Sequence, residues 1–268
     1  MLETTINQVR QTTPLVHCIT NYVTVNDCAN ILLACGGSPI MADDIGEVEE
    51  ITSICGALVL NIGTLNERTI ASMHAAGRKA ASLSHPVILD PVGAGASNLR
   101  TQTALALLPY ANVVRGNISE IRALSNNGGA TQGVDAAAND AVSENNLDHA
   151  VNFIREFAKN IGKIVAATGA IDIVSDDKTT YIIRNGHPLM SKITGTGCML
   201  SSIMGAYCCA NQQNMLEATA ASVCAMGLCG ETAYAQGAGT GSYRMGIIDA
   251  MSRLDAEKLR EGARIEKR

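Results

Sequence analysis

Hydrophobic residues in the first two thirds of the chain form short continuous runs, each of which ends near a glycine or a polar residue. Four of these runs predict β-strands: Ala57–Ile62, Pro86–Leu89, Asn112–Val114 and Lys163–Ala167. The runs are continuous rather than alternating, which is typical of strands covered on both faces. An Ala-rich segment after the first run, Thr69–Ala81, has the length of a crossover helix. The pattern therefore predicts an α/β fold with a mostly parallel central sheet covered by helices on both faces.

Two short apolar segments further along the chain predict a β-hairpin. They are Ile171–Ser175 and Thr179–Arg184, and three polar residues separate them. Near the start of the chain, Pro14–Val16 predicts a further short strand. The polar, glycine-bearing stretch Ser125–Asn146 predicts a surface loop with a short mobile helix. No linker and no internal repeat divides the sequence, which favours a single domain over residues 1–268.

The last third of the sequence has a helical pattern. It predicts nearly continuous helix from Cys198 to Arg268. Breaks are expected near Asn211–Asn214 and in the glycine-rich stretch Gly237–Gly241. The apolar stretches Met199–Ala210 and Ala218–Tyr234 are too short to cross a bilayer. The second is apolar on most sides, which predicts a deeply packed helix.

The composition narrows the class of protein. With 47% hydrophobic and 17% charged residues, the 268-residue chain can bury a sizeable core, which excludes global disorder. A net charge of -5 and the absence of Trp argue against binding to nucleic acid. No two of the nine cysteines form a C-x-x-C pair, and no basic segment leads into an apolar stretch at the start. We expect buried cysteines in a reducing, cytoplasmic protein that contacts no membrane.

The glycine-rich run Thr194–Cys198 directly precedes a predicted helix and is a candidate anion site. Glycines allow backbone N–H groups to converge, and the helix N-terminus adds partial positive charge at the same point. The alternative is an ordinary loop in which Thr194 or Thr196 caps the helix. The run is not a Walker A loop, because no Gly-Lys-Ser/Thr follows it. Spacing alone leaves both interpretations open.

Cys198 is a candidate reactive thiol because it lies in the first turn of that helix. The helix dipole is expected to lower the pKa of such a thiol from about 8.5. The alternative is a small buried residue like the other cysteines. His17 follows a short apolar strand and is the histidine most able to approach Cys198, but a structural role fits it equally well.

Several longer motifs together resemble a single family. They are Pro14–Asn21, Ser38–Ala42, Leu60–Leu65, Val87–Gly95, Asn117–Glu120 and Thr194–Cys198. These motifs are similar to segments of the hydroxyethylthiazole kinases, the thiamine-salvage branch of the ribokinase-like superfamily. The likeness runs from about Pro14 to Gly241, and several collinear motifs are more specific than any one glycine loop.

The resemblance implies a ribokinase-like enzyme that transfers the γ-phosphate of ATP, with Mg²⁺, to the primary alcohol of 4-methyl-5-(2-hydroxyethyl)thiazole. It also implies a homotrimer with active sites between subunits. Arg115 and Thr168 match nucleotide-binding positions. Asp90 and Glu120 match the acidic positions that organise Mg²⁺, partly through water. These roles suit the residue types, because arginine offers a fixed fork for phosphates and carboxylates are hard ligands for Mg²⁺.

For the alcohol, the resemblance implies contacts from Met41 and Gly195, with Asn21 a further candidate beside the thiazole. The catalytic positions are Gly195, Gly197 and Cys198, where backbone amides face the charge on the transferring group. Most ribokinase-like enzymes have aspartate where Cys198 stands, and the cysteine is similar to the thiazole-kinase branch. We expect Cys198 to position the alcohol and to assist only weakly as a base, because a loose transition state releases the hydroxyl proton late.

Three other functions remain open from the sequence. The first is a kinase of the same fold that acts on another small alcohol, such as a hydroxymethylpyrimidine. The second is a ribokinase-like lyase that couples nucleotide hydrolysis to repair of hydrated nicotinamide cofactors. The third is a non-catalytic small-molecule binding protein, for which thiazole would stabilise the fold without ATP turnover.

Overall fold

A computed structural model of the chain describes residues 1–127, 142–237 and 239–268. The strands it contains are β1 Leu15–Ile19, β2 Ser38–Ile40, β3 Ala57–Asn61, β4 Val87–Asp90, β5 Val113–Asn117, β6 Ile164–Thr168, β7 Asp172–Ser175, β8 Thr180–Ile183 and β9 Ile265–Lys267. The helices are α1 Leu2–Thr12, α2 Val25–Cys35, α3 Val48–Ile54, α4 Glu67–Ser82, α5 Asn98–Leu107, α6 Ile118–Asn127, α7 Leu147–Ile161, α8 Thr196–Ala210, α9 Met215–Ala235, α10 Thr240–Arg253 and α11 Ala256–Gly262.

All nine described strands belong to one sheet, in the order β2-β1-β3-β4-β5-β6-β7-β8-β9. Neighbours from β2 through β6 pair in parallel, and β7, β8 and β9 pair antiparallel. The parallel strands therefore end at one common edge of the sheet. Because β7 runs back from that edge, its first residue lies at the same edge as the end of β6.

Two hydrophobic layers cover the sheet. Strand residues alternate between them: Val59 belongs to one buried cluster, and its neighbours Leu58 and Leu60 belong to the other. The first cluster includes apolar residues of α1, α2, α8, α9 and α10. The second includes residues of α4, α5, α6 and α7. Burial on both faces explains why the strand sequences read as continuous apolar runs.

The predicted α/β fold with a mostly parallel, doubly covered sheet is confirmed. The four predicted strands correspond to β3, β4, β5 and β6, with ends that differ by at most three residues, and the hairpin corresponds to β7 and β8. The crossover helix lies inside α4, and the two apolar helices lie inside α8 and α9.

The prediction of nearly continuous helix to Arg268 was wrong at the end of the chain. Ile265–Lys267 is strand β9, which pairs with β8. Thr180 and Arg268 extend this pairing, because the backbone N–H of each donates to the carbonyl oxygen of the other, with N···O distances of 2.9 and 2.8 Å. Pairing satisfies the backbone groups that β8 would otherwise present at an open edge. Of the predicted surface loop Ser125–Asn146, residues 128–141 lie outside the described part of the chain.

No helix in the described ranges is both long enough and apolar enough to span a membrane. The nine cysteines, all of them in described segments, are free thiols, and seven are buried. This agrees with the expected packing role of most cysteines.

Candidate active site

The carboxyl edge of the parallel strands collects polar side chains from neighbouring strands. Asn61 ends β3, Asp90 ends β4 and Thr168 ends β6, while Arg115 lies in β5 between the last two. The first turn of α8, which follows the glycine-rich run, reaches the same edge. Sites of open parallel sheets lie at this edge.

Asp90 is fully buried and lies at the centre of this group. Its Oδ2 accepts hydrogen bonds from Asn61 Nδ2 and Ser201 Oγ, each at 2.8 Å, and Arg115 Nη1 lies 3.5 Å from the same oxygen. Its Oδ1 has no hydrogen-bond partner among the described residues. Burial raises the pKa of Asp90, and the Arg115 guanidinium is the main opposing influence. A buried carboxylate oxygen without a protein partner is a candidate contact for a ligand.

The thiol of Cys198 lies against two amide donors. Asn21 Nδ2 is 3.2 Å and Asn61 Nδ2 is 3.3 Å from its Sγ. Asn21 Nδ2 also donates to Asn61 Oδ1 at 2.9 Å, so the two amides and the thiol form one cluster with Asp90.

The lowered pKa expected for Cys198 from its place in the first helical turn was wrong. Burial raises its pKa, and the negative charge of Asp90 raises it further, which outweighs the hydrogen bonds from Thr24, Asn21 and Asn61. The position in the first helical turn does not compensate for burial beside a carboxylate. His17 does not act as its base either, since both ring nitrogens bond to other groups.

Arg115 connects the Asp90 cluster to Thr168. Its Nη2 donates to Thr168 Oγ1 at 2.6 Å, and its Nε is buried without a partner in the described chain. Gly197 lies directly against the guanidinium: a Cβ at this position would overlap both terminal nitrogens of Arg115. Glycine is therefore required here for the arginine to reach the helix start.

Gly195 is required for a different reason. It has φ of 94°, in the left-handed region, and a Cβ there would lie 2.7 Å from Thr24 Cγ2. It forms the N-cap of α8, and no side chain in the described ranges caps this helix. The cap that the alternative interpretation expected from Thr194 or Thr196 is therefore absent, and the first-turn N–H groups of α8 have no side-chain cap in the described chain.

Glu120 lies at the start of α6 with both carboxylate oxygens engaged. Oε1 accepts from Gly93 N and Oε2 from Asn117 N, each at 2.8 Å. Burial raises the pKa of Glu120, and Asp90 also raises it, which indicates that the two carboxylates lie within electrostatic range. Glu120 therefore connects the loop after β4 to the end of β5.

A cavity of about 580 Å³ lies beside Arg115, and Asp90 is not part of its lining. Arg115, Thr168, Thr196 and Gly197 line one end. The rest of the lining includes Gly169, Asp172, Asn185, Gly186, His187, Pro188, Met190, Val223, Met226 and Gly227. The volume lies within the usual range for small-molecule sites. One end is cationic and the remainder is largely apolar, an arrangement that suits a phosphorylated ligand with an apolar ring.

Neither Met41 nor Asn21 belongs to the lining of this cavity. Met41 follows β2 directly, is half-buried and packs against the core cluster on the α8 face. Asn21 lies two residues past β1, where it bonds into the cluster. The structure thus groups Asn21, Asp90, Arg115, Thr168, Gly197 and Cys198 by direct contact, whereas Met41 shares only the sheet edge with them.

The sequence reasoning missed Asn61 and Ser201, which hold Asp90. Two features of the sequence could have identified these residues. Asn61 is a polar residue inside an otherwise apolar strand, and Ser201 lies three residues after Cys198, on the same face of α8. It also missed Asp172, the first residue of β7, which lines the cavity.

Asp172 is only 8% exposed, and its Oδ1 accepts from Gly169 N at 2.8 Å. Burial raises its pKa to about 7, so the folded protein loses stability as pH rises from about 4 to above 7. We expect Asp172→Asn, which keeps an acceptor for Gly169, to raise the melting temperature at pH 8 by about 5 °C or more. The gain should shrink steadily as the pH is lowered toward 4. A melting-temperature difference that does not change with pH would contradict the assignment.

Sequence comparisons identify the family of the chain. The model of the hydroxyethylthiazole kinase family matches residues 6–257 of the chain. A protein named hydroxyethylthiazole kinase from Clostridium acetobutylicum is 60% identical over 271 residues, which cover 99% of each chain.

Solved structures give the same relationship. A hydroxyethylthiazole kinase structure from Pyrococcus horikoshii OT3 superposes with a TM-score of 0.90 at 35% identity, covering 100% of this chain and 98% of the other. The pyridoxal kinase of Staphylococcus aureus superposes with a TM-score of 0.64 at 17% identity, covering 95% and 97%. The similarity to pyridoxal kinase concerns the fold alone. Together, the two solved structures show that this chain has the expected ribokinase-like fold.

Proposed function

Since the chain belongs to the hydroxyethylthiazole kinase family, we propose that it transfers the γ-phosphate of ATP to the primary alcohol of 4-methyl-5-(2-hydroxyethyl)thiazole in thiamine salvage. One observation carries the proposal. Two buried polar atoms, Asp90 Oδ1 and Arg115 Nε, have no hydrogen-bond partner in the described chain. Both residues lie at the carboxyl edge of the sheet, and Arg115 lines the 580 Å³ cavity. A carboxylate and a guanidinium so arranged are the groups that phosphoryl transfer requires.

In this proposal ATP occupies the cavity with its phosphates toward Arg115. The guanidinium and the Thr168 hydroxyl bind the phosphates, and the uncapped N–H groups of Thr196 and Gly197 face the group in transfer. The apolar part of the cavity receives the base. Positioning and neutralisation of charge are the main demands of the reaction, because the transition state is loose.

The acidic residues Asp90 and Glu120 suit a magnesium ion that binds together with ATP. No group of three or more His, Cys, Asp or Glu side chains in the described segments could hold a metal by itself. Mg²⁺ in kinases is typically held by one or two carboxylates, by phosphates and by water. Asp90 has a free oxygen for it, whereas Glu120 already accepts two backbone hydrogen bonds and would act through water. When bound, the ion neutralises charge on the phosphates.

The alcohol in this proposal lies on the other side of the cluster, with Met41 against the thiazole ring and Asn21 and Gly195 beside it. A polarisable thioether suits a sulfur heterocycle. Cys198, next to Gly197, positions the hydroxyl. Its raised pKa means that it is a neutral thiol at pH 7 and acts only weakly as a base.

We expect Cys198→Asp to retain kcat within about tenfold of the original protein. The amides of Asn21 and Asn61 already point at this position, so a carboxylate there finds two donors. Cys198→Asn, which has the same shape but cannot accept a proton, is the matched control and should be slower than the aspartate variant. Steady-state kinetics with Mg-ATP and the thiazole alcohol make the comparison. A folded aspartate variant that binds thiazole and has no activity would contradict this role of the thiol.

The function itself is tested by mass spectrometry of a mixture of protein, Mg-ATP and the thiazole alcohol. A product heavier by one phosphate is expected. Phosphorylation of a hydroxymethylpyrimidine in preference to the thiazole, nucleotide hydrolysis without a phosphorylated alcohol, or stabilisation by thiazole without turnover would each replace the proposal with one of the alternatives.

We also propose a single-domain chain that forms a homotrimer in the cytoplasm, with active sites between subunits. Large apolar side chains next to the substrate positions support an interface there. Tyr22 and Val23, which follow Asn21, are 77% and 57% exposed, and Ile45, close after Met41, is 57% exposed. Grouped exposed apolar residues are typical of protein interfaces. Light scattering tests the assembly: a mass near three times 28.0 kDa is expected, and a monomer mass would overturn it.

A further inference from the structure

His17 is a buried ionisable residue that the proposed mechanism does not use. It lies in β1, between β2 and β3, opposite Ile40 and Leu58, and is 0% exposed. Its ring bonds to two groups outside its own strand. Nε2 is 2.8 Å from the carbonyl oxygen of Ala42, and Nδ1 is 2.9 Å from Thr52 Oγ1 in α3.

These contacts define the tautomer of the ring. A carbonyl oxygen only accepts, so Nε2 carries a proton and donates it to Ala42. Burial lowers the pKa of His17, so the ring is neutral at pH 7 and Nδ1 accepts from Thr52. The Thr52 hydroxyl also lies 2.7 Å from the Val48 carbonyl, so its one proton is shared between two acceptors. The bond to Ala42 is therefore the stronger of the two contacts of His17.

Ala42 belongs to a stretch with few other attachments. It follows Met41 at the end of β2, a three-residue strand at the edge of the sheet. In the described ranges, no backbone-to-backbone hydrogen bond outside the regular elements involves Met41, Ala42 or Asp43, and the next carbonyl to accept one belongs to Asp44. The imidazole of His17 thus anchors this stretch where sheet pairing has ended.

We propose that His17 is a positioning residue for the alcohol substrate. By donating to the Ala42 carbonyl, it fixes the backbone that carries Met41 and so the surface against which the thiazole ring packs. His17 touches neither substrate and acts only through this stretch. The inference rests on the proposed function, because it takes Met41 to be a contact of the thiazole.

Two substitutions of His17 test separately the hydrogen bonds of its two ring nitrogens. The amide nitrogen of glutamine reaches the position of Nε2, whereas asparagine reaches only the position of Nδ1. We expect His17→Asn to raise KM for the thiazole alcohol about tenfold, with KM for ATP and kcat within about twofold. His17→Gln should keep KM for the alcohol within about threefold. Equal KM values for the alcohol in the two variants, or an equal rise in KM for ATP, would overturn the proposal.

Thr52→Val is the matched control, since it removes the contact at Nδ1 and leaves Ala42 bonded. Its KM for the alcohol should stay unchanged, and a tenfold rise would overturn the proposal. If His17→Asn does not fold, as judged by its melting temperature, His17→Gln decides: a retained KM for the alcohol supports the role and a tenfold rise refutes it.

The original protein is assayed first. Absence of phosphorylated thiazole there refutes the proposed function, whereas phosphorylation without the KM difference refutes only the role of His17.

Discussion

Asp90→Asn is expected to lower kcat about a thousandfold while leaving the fold intact. The substitution keeps the shape of the side chain but removes the negative charge between Arg115 and the helix start. The amide still offers an oxygen to Asn61 and Ser201, which now bond to Oδ2. The loss should therefore appear in kcat measured with Mg-ATP and the thiazole alcohol, with a small change in melting temperature. Asp90→Ala should also lose most activity, but it removes the shared acceptor of Asn61 and Ser201 and the carboxylate beside Arg115, so it destabilises the fold as well.

The control for this prediction is Ser201→Ala. It removes one hydrogen bond to Oδ2 and leaves the charge of Asp90 and its free oxygen in place. A fall in kcat of about tenfold or less is expected. If Asp90→Asn keeps more than about a tenth of the original kcat, the carboxylate is not required for transfer, and the role assigned to Asp90 is wrong.

Gly197→Ala is expected to raise KM for ATP more than about tenfold and to lower kcat as well. The added methyl group occupies the position of the Arg115 guanidinium, so the arginine must leave Thr168 and Asp90. Alanine is otherwise a better helix former than glycine, so the melting temperature should not fall through helix propensity. Kinetics at varied ATP concentration measure the effect.

Gly241→Ala is the matched control, because its added methyl group meets no atom of the described residues within 4 Å and it also lies in the first turn of a helix. Its KM for ATP and its kcat should equal those of the original protein. An unchanged KM for ATP in Gly197→Ala would mean that Arg115 tolerates displacement, and its proposed phosphate contact would then be excluded.

The sheet could be predicted from sequence because burial on both faces leaves a strong local signal. Residues 57–60 and 164–167 are uniformly apolar, and a polar residue, Asn61 or Thr168, ends each strand. The short strand β9 left no such signal. Ile265–Lys267 has one apolar residue followed by two charged ones, and its pairing with β8 depends on a partner about 80 residues away.

Residue types and spacing determined the family resemblance and the candidate positions Asp90, Arg115, Thr168 and Cys198. Only the tertiary structure decided the protonation of Cys198, because the helix position argues for a thiolate while burial and Asp90 argue against it. The links from Asn61 and Ser201 to Asp90 likewise join residues 29 and 111 positions apart in the chain. A sequence records each side chain and its neighbours in the chain, whereas pKa and hydrogen bonding depend on which distant groups and how much water surround it.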